Sequence, residues 1–337
     1  MAELISRRRA ITIIAAVGGL PLLPVPSFAK AAAEPVIWKG QALGAPATLI
    51  INHPDRSAAE RLIGRVVSEV DRLESIFSLY RETSALNELN RAGGLAMPPP
   101  ELVEVLGACR TAWEATDGAF DPTIQPLWAL YARHFSSPAA DAAGPSRQDL
   151  DEAQARVGFD AVRFNRDRIA FGRPGMALTL NGIAQGYVTD RVVDLLRAGG
   201  ITSSLVSMGE NRAIGAAADG RAWRIGLADM ELGAEPDTVL GVIDGAVATS
   251  SAAGFHFDRA GRFGHILDPR RGAMPSLYRR VTVIAPDATT ADAFSTAASL
   301  VRPAEIEAIV NRNASLTIDL VLDDGKQARF GKAVNVL

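Results

Sequence analysis

Hydrophobic and polar positions alternate over VIWKGQALGAPATLIINH around a Gly-Ala-Pro break, and this period of two predicts a two-stranded hairpin from about Val36 to Asn52. The period then lengthens. Leu62, Ile63, Val66, Val67, Val70, Leu73 and Phe77 recur at helical spacing behind Ser57 and Glu60, which form a capping-box pattern. A second helix is predicted from about Pro100 to Thr116. HFSSPAADAAGPSRQDLDEA is rich in Ser, Ala and Pro and reads as a surface loop or insertion that re-enters a helix near Asp149. After the turn NGIAQGY, a helix runs from Val188 to Ala198 and stops at Gly199 and Gly200. Strand-like runs follow: SSLVSMG, NRAIGAA, RAWRIGLA, DTVLGVIDGAVATS, FGHILDP and RRVTVIAP. Thr289 opens a helix that continues through Leu300, Pro303 opens another, and LTIDLVLDDGKQARF closes the chain as a hairpin. Adjacent antiparallel strands with helices segregated from them predict an α+β fold, antiparallel sheets with flanking helices. Without an internal repeat or a clean linker, residues 34–337 are read as one domain.

The first 33 residues change the picture of charge. The whole chain of 337 residues carries 35 basic and 38 acidic side chains, a net charge of −3. Arg7, Arg8, Arg9 and Lys30 stand against Glu3 alone in the N-terminal stretch, so the remainder holds 31 basic and 37 acidic groups, a net −6. That balance offers no basic face for nucleic acid. The stretch SRRRAITIIAAVGGLPLLPVPSFAKAAAEP pairs twin arginines with an interrupted apolar run and small residues, and it resembles a twin-arginine export signal cleaved after Ala29 or Ala33. Its other reading is a membrane anchor, against which stands an apolar run shorter than the roughly 20 residues needed to span. The expected location is the periplasm. Cys109 is the only cysteine, which excludes an intrachain disulfide and a thiolate metal cluster, and its helical context predicts a small buried hydrophobe. No cysteine stands directly after the signal to carry a lipid, so no membrane anchor is expected in the mature chain.

Several short stretches carry chemistry, and each also has a plain structural reading. In TLNGIAQGY, Gly182, Ala184 and Gly186 at a helix entrance would let a ligand approach the backbone near free N–H groups, or they form a simple strand-to-helix turn. In TTADAFSTAASL, Asp292 and Thr296 fall on one helix face with Ser295 beside them. These are hard oxygen donors suited to Mg²⁺, or they are helix caps. FGHILDPRRG places His265 and Asp268 on a strand leading to a turn, where the imidazole is either a general base or a hydrogen-bonded structural group. TDGAFDPTIQPLW holds Asp117, Asp121 and Thr123 around a turn, and RLESIFSLYRETSALNELN offers Tyr80 to a planar ring.

Taken together and in order, FSLYRETSALNELN, TDGAFDPTIQPLW, LNGIAQGYVTDRVVDLLRAGG, VATSS, HILDPRRG and ADAFSTA resemble the signatures of the ApbE family of flavin transferases. The wording of FDPTIQPLW and NGIAQGY is most similar to the NosX type, associated with nitrous oxide respiration. The resemblance implies a T-fold-related single catalytic domain that takes FAD as substrate and cleaves its pyrophosphate with Mg²⁺. FMN is then joined through its phosphate to a Thr or Ser of a partner flavoprotein, with release of AMP. It implies Mg²⁺ on Asp292, Thr296 and the carbonyl of Gly182, with Ser295 adjacent. It implies flavin contacts from Tyr80, Ala119, Phe120, Asp121, Thr179, Gln185 and Ile266, and activation of the acceptor hydroxyl by His265. The acceptor pattern Asp-x-x-Ser/Thr-Gly-Ala-Ser/Thr does not occur in this chain, so the partner is a separate protein, for the NosX type a NosR-like membrane protein. The family pattern is departed from in three places. Gln185 stands where a lysine is common and Ser295 where an acid often stands, and Gly209, Glu210 and Asn211 replace Gly-Gly-Asp. With fewer charges at the site, two other readings stay open, an FAD pyrophosphatase and a non-catalytic flavin-binding or assembly factor.

Overall fold

The computed structural model describes residues 34–227 and 236–332, so the predicted export signal lies outside the described residues. Thirteen strands and eight α-helices alternate along them. The chain begins with the hairpin β1 (Val36–Ala42) and β2 (Ala45–Ile51), then α1 (Arg56–Phe77), α2 (Ala85–Ala92), β3 (Gly94–Ala96) and α3 (Pro100–Ala115). It continues through α4 (Gln125–Ser136), α5 (Arg147–Gln154), β4 (Val162–Phe164), β5 (Arg168–Phe171) and α6 (Ala184–Ala198). Next come β6 (Ser204–Ser207), β7 (Asn211–Ile214), β8 (Trp223–Leu227), β9 (Thr238–Val242) and β10 (Ala246–Ser251). Last are β11 (Arg280–Ala285), α7 (Ala288–Ala298), α8 (Pro303–Arg312), β12 (Thr317–Val321) and β13 (Gln327–Gly331).

Eight strands form one sheet in the order β1-β2-β6-β7-β10-β11-β12-β13, and every neighbouring pair is antiparallel. Alternation along the central strands feeds two separate cores. Leu49, Ile51, Val206, Ala246, Ala248 and Val283 face α1, α3, α6 and α7 in the main core, while Ile50, Leu205 and Val247 face the β8-β9 hairpin with Trp223, Ile225 and Leu240. Slipping a strand by one residue would exchange these faces, so the register is set by burial on both sides. A third cluster joins α4 and α5 to the long β10–β11 connection through Leu127, Leu130, Tyr131, Ala153, Phe257 and Leu267. Among the described residues no helix is long and apolar enough to cross a membrane.

The α+β architecture agrees with the sequence pattern, and several local details differ. The β1-β2 turn falls on Leu43 and Gly44, with φ of 49° and 78°, one residue before the expected Gly-Ala-Pro break. Helix α1 is capped by Asp55, whose carboxylate accepts the Ala58 N–H at 3.0 Å, and not by a Ser57 and Glu60 box. Ser57 already lies within the helix, and Glu60 is occupied by Arg56 at 2.9 Å. Helix α6 starts at Ala184, four residues before Val188, because Gly186 allows α7 to pack on its first turn. Helix α7 begins at Ala288 under an Asp287 cap, and DTVLGVIDGAVATS divides into β9 and β10 at Asp244, whose φ is 46°. FGHILDP is a loop held by isolated bridges and not a strand, and the loop-like surroundings expected of His134 are helical, in α4. Helices α2 and α4 and the small β3-β5-β4 sheet add to the expected elements. Cys109 is fully buried on α3, and burial raises its thiol pKa so that it stays protonated.

Candidate functional site

Helices α6 and α7 cross with almost no room between them, and this contact builds the floor of the site. A Cβ on Gly186 would stand 2.2 Å from the backbone oxygen of Ala288. The Gly186 N–H donates to Asp292 Oδ2 at 3.0 Å. One turn further along α6, Asp190 accepts the N–H groups of Ala288 and Thr289, each at 2.8 Å, and pairs with Arg212 of β7 at 2.5 Å. Asp190 thereby ties α6 to the N-terminus of α7 and fixes where Asp292 and Thr296 emerge. Gly186 serves this helix contact and does not face a ligand, which corrects the expectation drawn from its small size. We expect Gly186→Ala to lower stability by about 3 kcal/mol through overpacking, far more than the roughly 1 kcal/mol that alanine gains in a helix. Urea unfolding checks this, and a midpoint at or above wild type would show that the two helices separate freely.

A cleft of 2220 Å³ opens above this floor. Its wall includes Tyr80, Ala119, Phe120, Asp121, Thr179, Gly182, Gln185, His265, Ile266, Asp292 and Thr296, so residues more than two hundred positions apart in sequence meet in one space. Ser295 is not part of the wall. It is buried behind Asp292, its hydroxyl donating to the Asp292 carbonyl at 3.0 Å and meeting Ser250 Oγ at 2.8 Å.

Asp292 is a buried carboxylate in the body of the helix, not a cap, since Asp287 takes that role by accepting the Thr290 N–H at 2.8 Å. Burial raises its pKa to about 7 in spite of the Gly186 hydrogen bond. Glu210, from the β6-β7 turn, is also buried, and burial together with the Asp292 charge pushes its pKa well above the ordinary carboxylate range. Gly209, at φ +107°, makes that turn possible, and Gln185 packs where a Gly209 side chain would be, 2.6 Å from a Cβ placed there. Sequence reasoning took Glu210 as a departure from a pattern and missed it as a wall residue. Its neighbourhood with Asp292 spans 82 positions and has no local signal.

The donor set suits a hard divalent cation. Among the described residues neither Asp292 nor Glu210 forms an ion pair, and Glu210 Oε2 makes no hydrogen bond. Thr296 Oγ1 lies 2.8 Å from the place a Gly182 Cβ would take, so the absent side chain leaves room for that hydroxyl beside the Gly182 backbone. Carboxylate, hydroxyl and carbonyl oxygens are the ligand types of a hard dication and not those of a zinc site, and among the described residues no three His, Cys, Asp or Glu side chains cluster.

His265 lines the cleft from the β10–β11 connection. Both its backbone N–H, at 3.1 Å, and its Nδ1, at 2.9 Å, meet the Phe255 carbonyl. A carbonyl only accepts, so Nδ1 carries a proton and the lone pair of the neutral ring is on Nε2. The ring lies against Gly254, where a Cβ would stand 2.4 Å from Cε1, and Phe255 stacks on Trp128 with centroids 6.3 Å apart. Asp121 caps a short turn. Its carboxylate accepts Thr123 N–H at 2.8 Å, Thr123 Oγ1 at 2.5 Å and Phe159 N–H at 3.1 Å, while burial raises its pKa. These bonds hold the Ala119-Phe120 backbone at the wall. Asp268 is spent in its own loop on Arg270 and Arg271, and Tyr80 is half exposed at the mouth.

Fold and site together define an α+β protein whose wide cleft, lined in part by strands β1, β2, β6 and β10 of an antiparallel sheet, gathers hard oxygen donors and an oriented imidazole. The chain belongs to the ApbE family, whose profile matches residues 43–319. It is 33% identical over 266 residues to the FAD:protein FMN transferase of Treponema pallidum, covering 72% of each chain. Its structure is similar to that of the ApbE protein of Thermotoga maritima, with a TM-score of 0.78 and 27% identity over 88% of this chain and 97% of that one. The flavinyl transferase ApbE of Pseudomonas stutzeri in its apo form gives a TM-score of 0.75 and 27% identity over 88% and 95% of the two chains.

Proposed function

We propose that this protein is an FAD:protein FMN transferase that moves the FMN half of FAD onto a Ser or Thr hydroxyl of a partner protein with the help of Mg²⁺. The observation that carries the reading is the meeting of Asp292, Thr296 and Gly182 with His265 and the Tyr80 and Phe120 segments in one cleft. That cleft, at 2220 Å³, exceeds the roughly 300–1,000 Å³ of ordinary small-molecule pockets and leaves space for a dinucleotide and a segment of polypeptide. Asp292, Thr296 and the Gly182 carbonyl would hold Mg²⁺, which supplies charge neutralisation at the pyrophosphate. Tyr80, the Ala119-Phe120 backbone, Asp121, Thr179, Gln185 and Ile266 would line the flavin. His265 Nε2 would take the proton of the acceptor hydroxyl as its oxygen bonds to the FMN phosphorus. The anhydride P–O bond breaks and AMP departs with that oxygen.

The test is incubation of the mature protein with FAD, Mg²⁺ and a candidate acceptor domain. An acceptor gaining the mass of FMN less water, with stoichiometric AMP, is the expected result. FAD split to FMN and AMP with no acceptor modified would favour a pyrophosphatase, and bound but intact FAD would favour a carrier. We also place the protein in the periplasm, on the reading of Arg7 and Arg8 as a twin-arginine signal. Arg7→Lys with Arg8→Lys should strand the precursor in the cytoplasm, since a receptor reads that pair. Fractionation with normal periplasmic yield of the double variant would contradict the placement.

A further inference from the structure

The reading just proposed gives the cation one carboxylate, Asp292, and affinity for a hard dication rises with the number of anionic oxygens around it. Ser295 adds none, because its hydroxyl is engaged by the Asp292 carbonyl and by Ser250. We infer that Glu210 is the second carboxylate of the cation site. The inference rests on the cleft being a cation site.

Three elements hold Glu210 in place. The Thr189 hydroxyl of α6 donates to its backbone carbonyl at 3.3 Å, the Thr249 backbone of β10 favours its charged carboxylate, and Gly209 provides the left-handed turn that brings the side chain to the cleft. The side chain lines the cleft with Asp292, is 7% exposed, and its Oε2 has no hydrogen-bond partner. No Lys or Arg among the described residues forms an ion pair with it. A carboxylate so buried is unfavourable unless a proton or a cation compensates it, and the same holds for Asp292. One dication between them would satisfy both at once. Their approach depends on the β6-β7 turn lying against α6 while α6 lies against α7, the arrangement that Gly209 and Gly186 permit.

The test is Mn²⁺ binding to the mature protein, followed by electron paramagnetic resonance with and without ADP as a pyrophosphate probe. Wild type should bind Mn²⁺, and Asp292→Asn should lose it. Glu210→Gln, which keeps the shape of the side chain and removes the charge, should bind at least about tenfold more weakly, as expected for loss of one anionic ligand. Glu210→Asp should bind more tightly than Glu210→Gln. In thermal unfolding, Mn²⁺ should raise the wild-type midpoint, whereas Glu210→Gln should start higher and gain less. Glu210→Gln with wild-type affinity, or equal affinity of the Gln and Asp variants, overturns the role of Glu210 and leaves that of Asp292 standing. No Mn²⁺ bound by wild type in either condition overturns both.

Discussion

Asp292→Asn should reduce FMN transfer by about a thousandfold or more while the protein stays folded. The expected loss combines one preorganised electrostatic group, worth roughly 10²–10³ in rate, with the cation it would hold. Asparagine is the informative replacement, because Asp292 is buried and accepts the Gly186 N–H at 3.0 Å. Alanine would leave that donor unpaired in the helix contact at a cost of about 1–3 kcal/mol and confuse lost chemistry with lost structure. Asparagine keeps the acceptor and removes only the charge. Chelation of wild-type protein should reproduce the defect, and added Mg²⁺ should reverse it for wild type but not for the variant. Full transfer by Asp292→Asn, or wild-type rates in chelator, would remove Asp292 from the cation site.

His265→Asn should cut transfer by about a hundredfold or more and leave FAD binding and the thermal midpoint near wild type. A positioned general base contributes roughly 10²–10⁴ in rate. Asparagine can still donate to the Phe255 carbonyl that His265 Nδ1 meets at 2.9 Å, so the loop keeps its internal bond. The pH profile separates a base from a structural group. Wild-type transfer should fall on acidification, because a protonated imidazole cannot take the acceptor proton, and with Mg²⁺ held saturating the variant should lose the part of that limb that His265 supplies. Normal transfer by the variant, or a collapse of its thermal midpoint, would make His265 structural and leave the hydroxyl to be activated otherwise.

Much of this was legible in local pattern. The β1-β2 hairpin and the long α1 announce themselves because burial on one face repeats every two or every three to four residues. The FSLYRETSALNELN, TDGAFDPTIQPLW, NGIAQGY, HILDPRRG and ADAFSTA segments pointed to one site as an ordered set, and the fold brings them to one cleft. Less was legible where two elements contest the same residue. NGIAQGY looked like an open, ligand-facing turn, yet Gly186 is the point at which α7 rests on α6. FGHILDP alternates like a strand, but its Phe263 packs on the aromatic side chains of Tyr131 and Phe135 of α4 and it joins no named strand, so it stays a loop that aims His265.

By itself the sequence determined the kinds of element, the α+β class, the family signatures and the inventory of oxygen donors and imidazole, because each is encoded in residue type and short-range spacing. Only the tertiary structure decided which donors share a space. It turned the Ser295 hydroxyl away onto Ser250, spent the Asp121 carboxylate on a turn, and set Glu210 in the same cleft wall as Asp292. The physical reason is that burial and hydrogen-bond satisfaction are settled between segments far apart in the chain. A side chain's chemistry follows from the partners it meets there, and no local period records them.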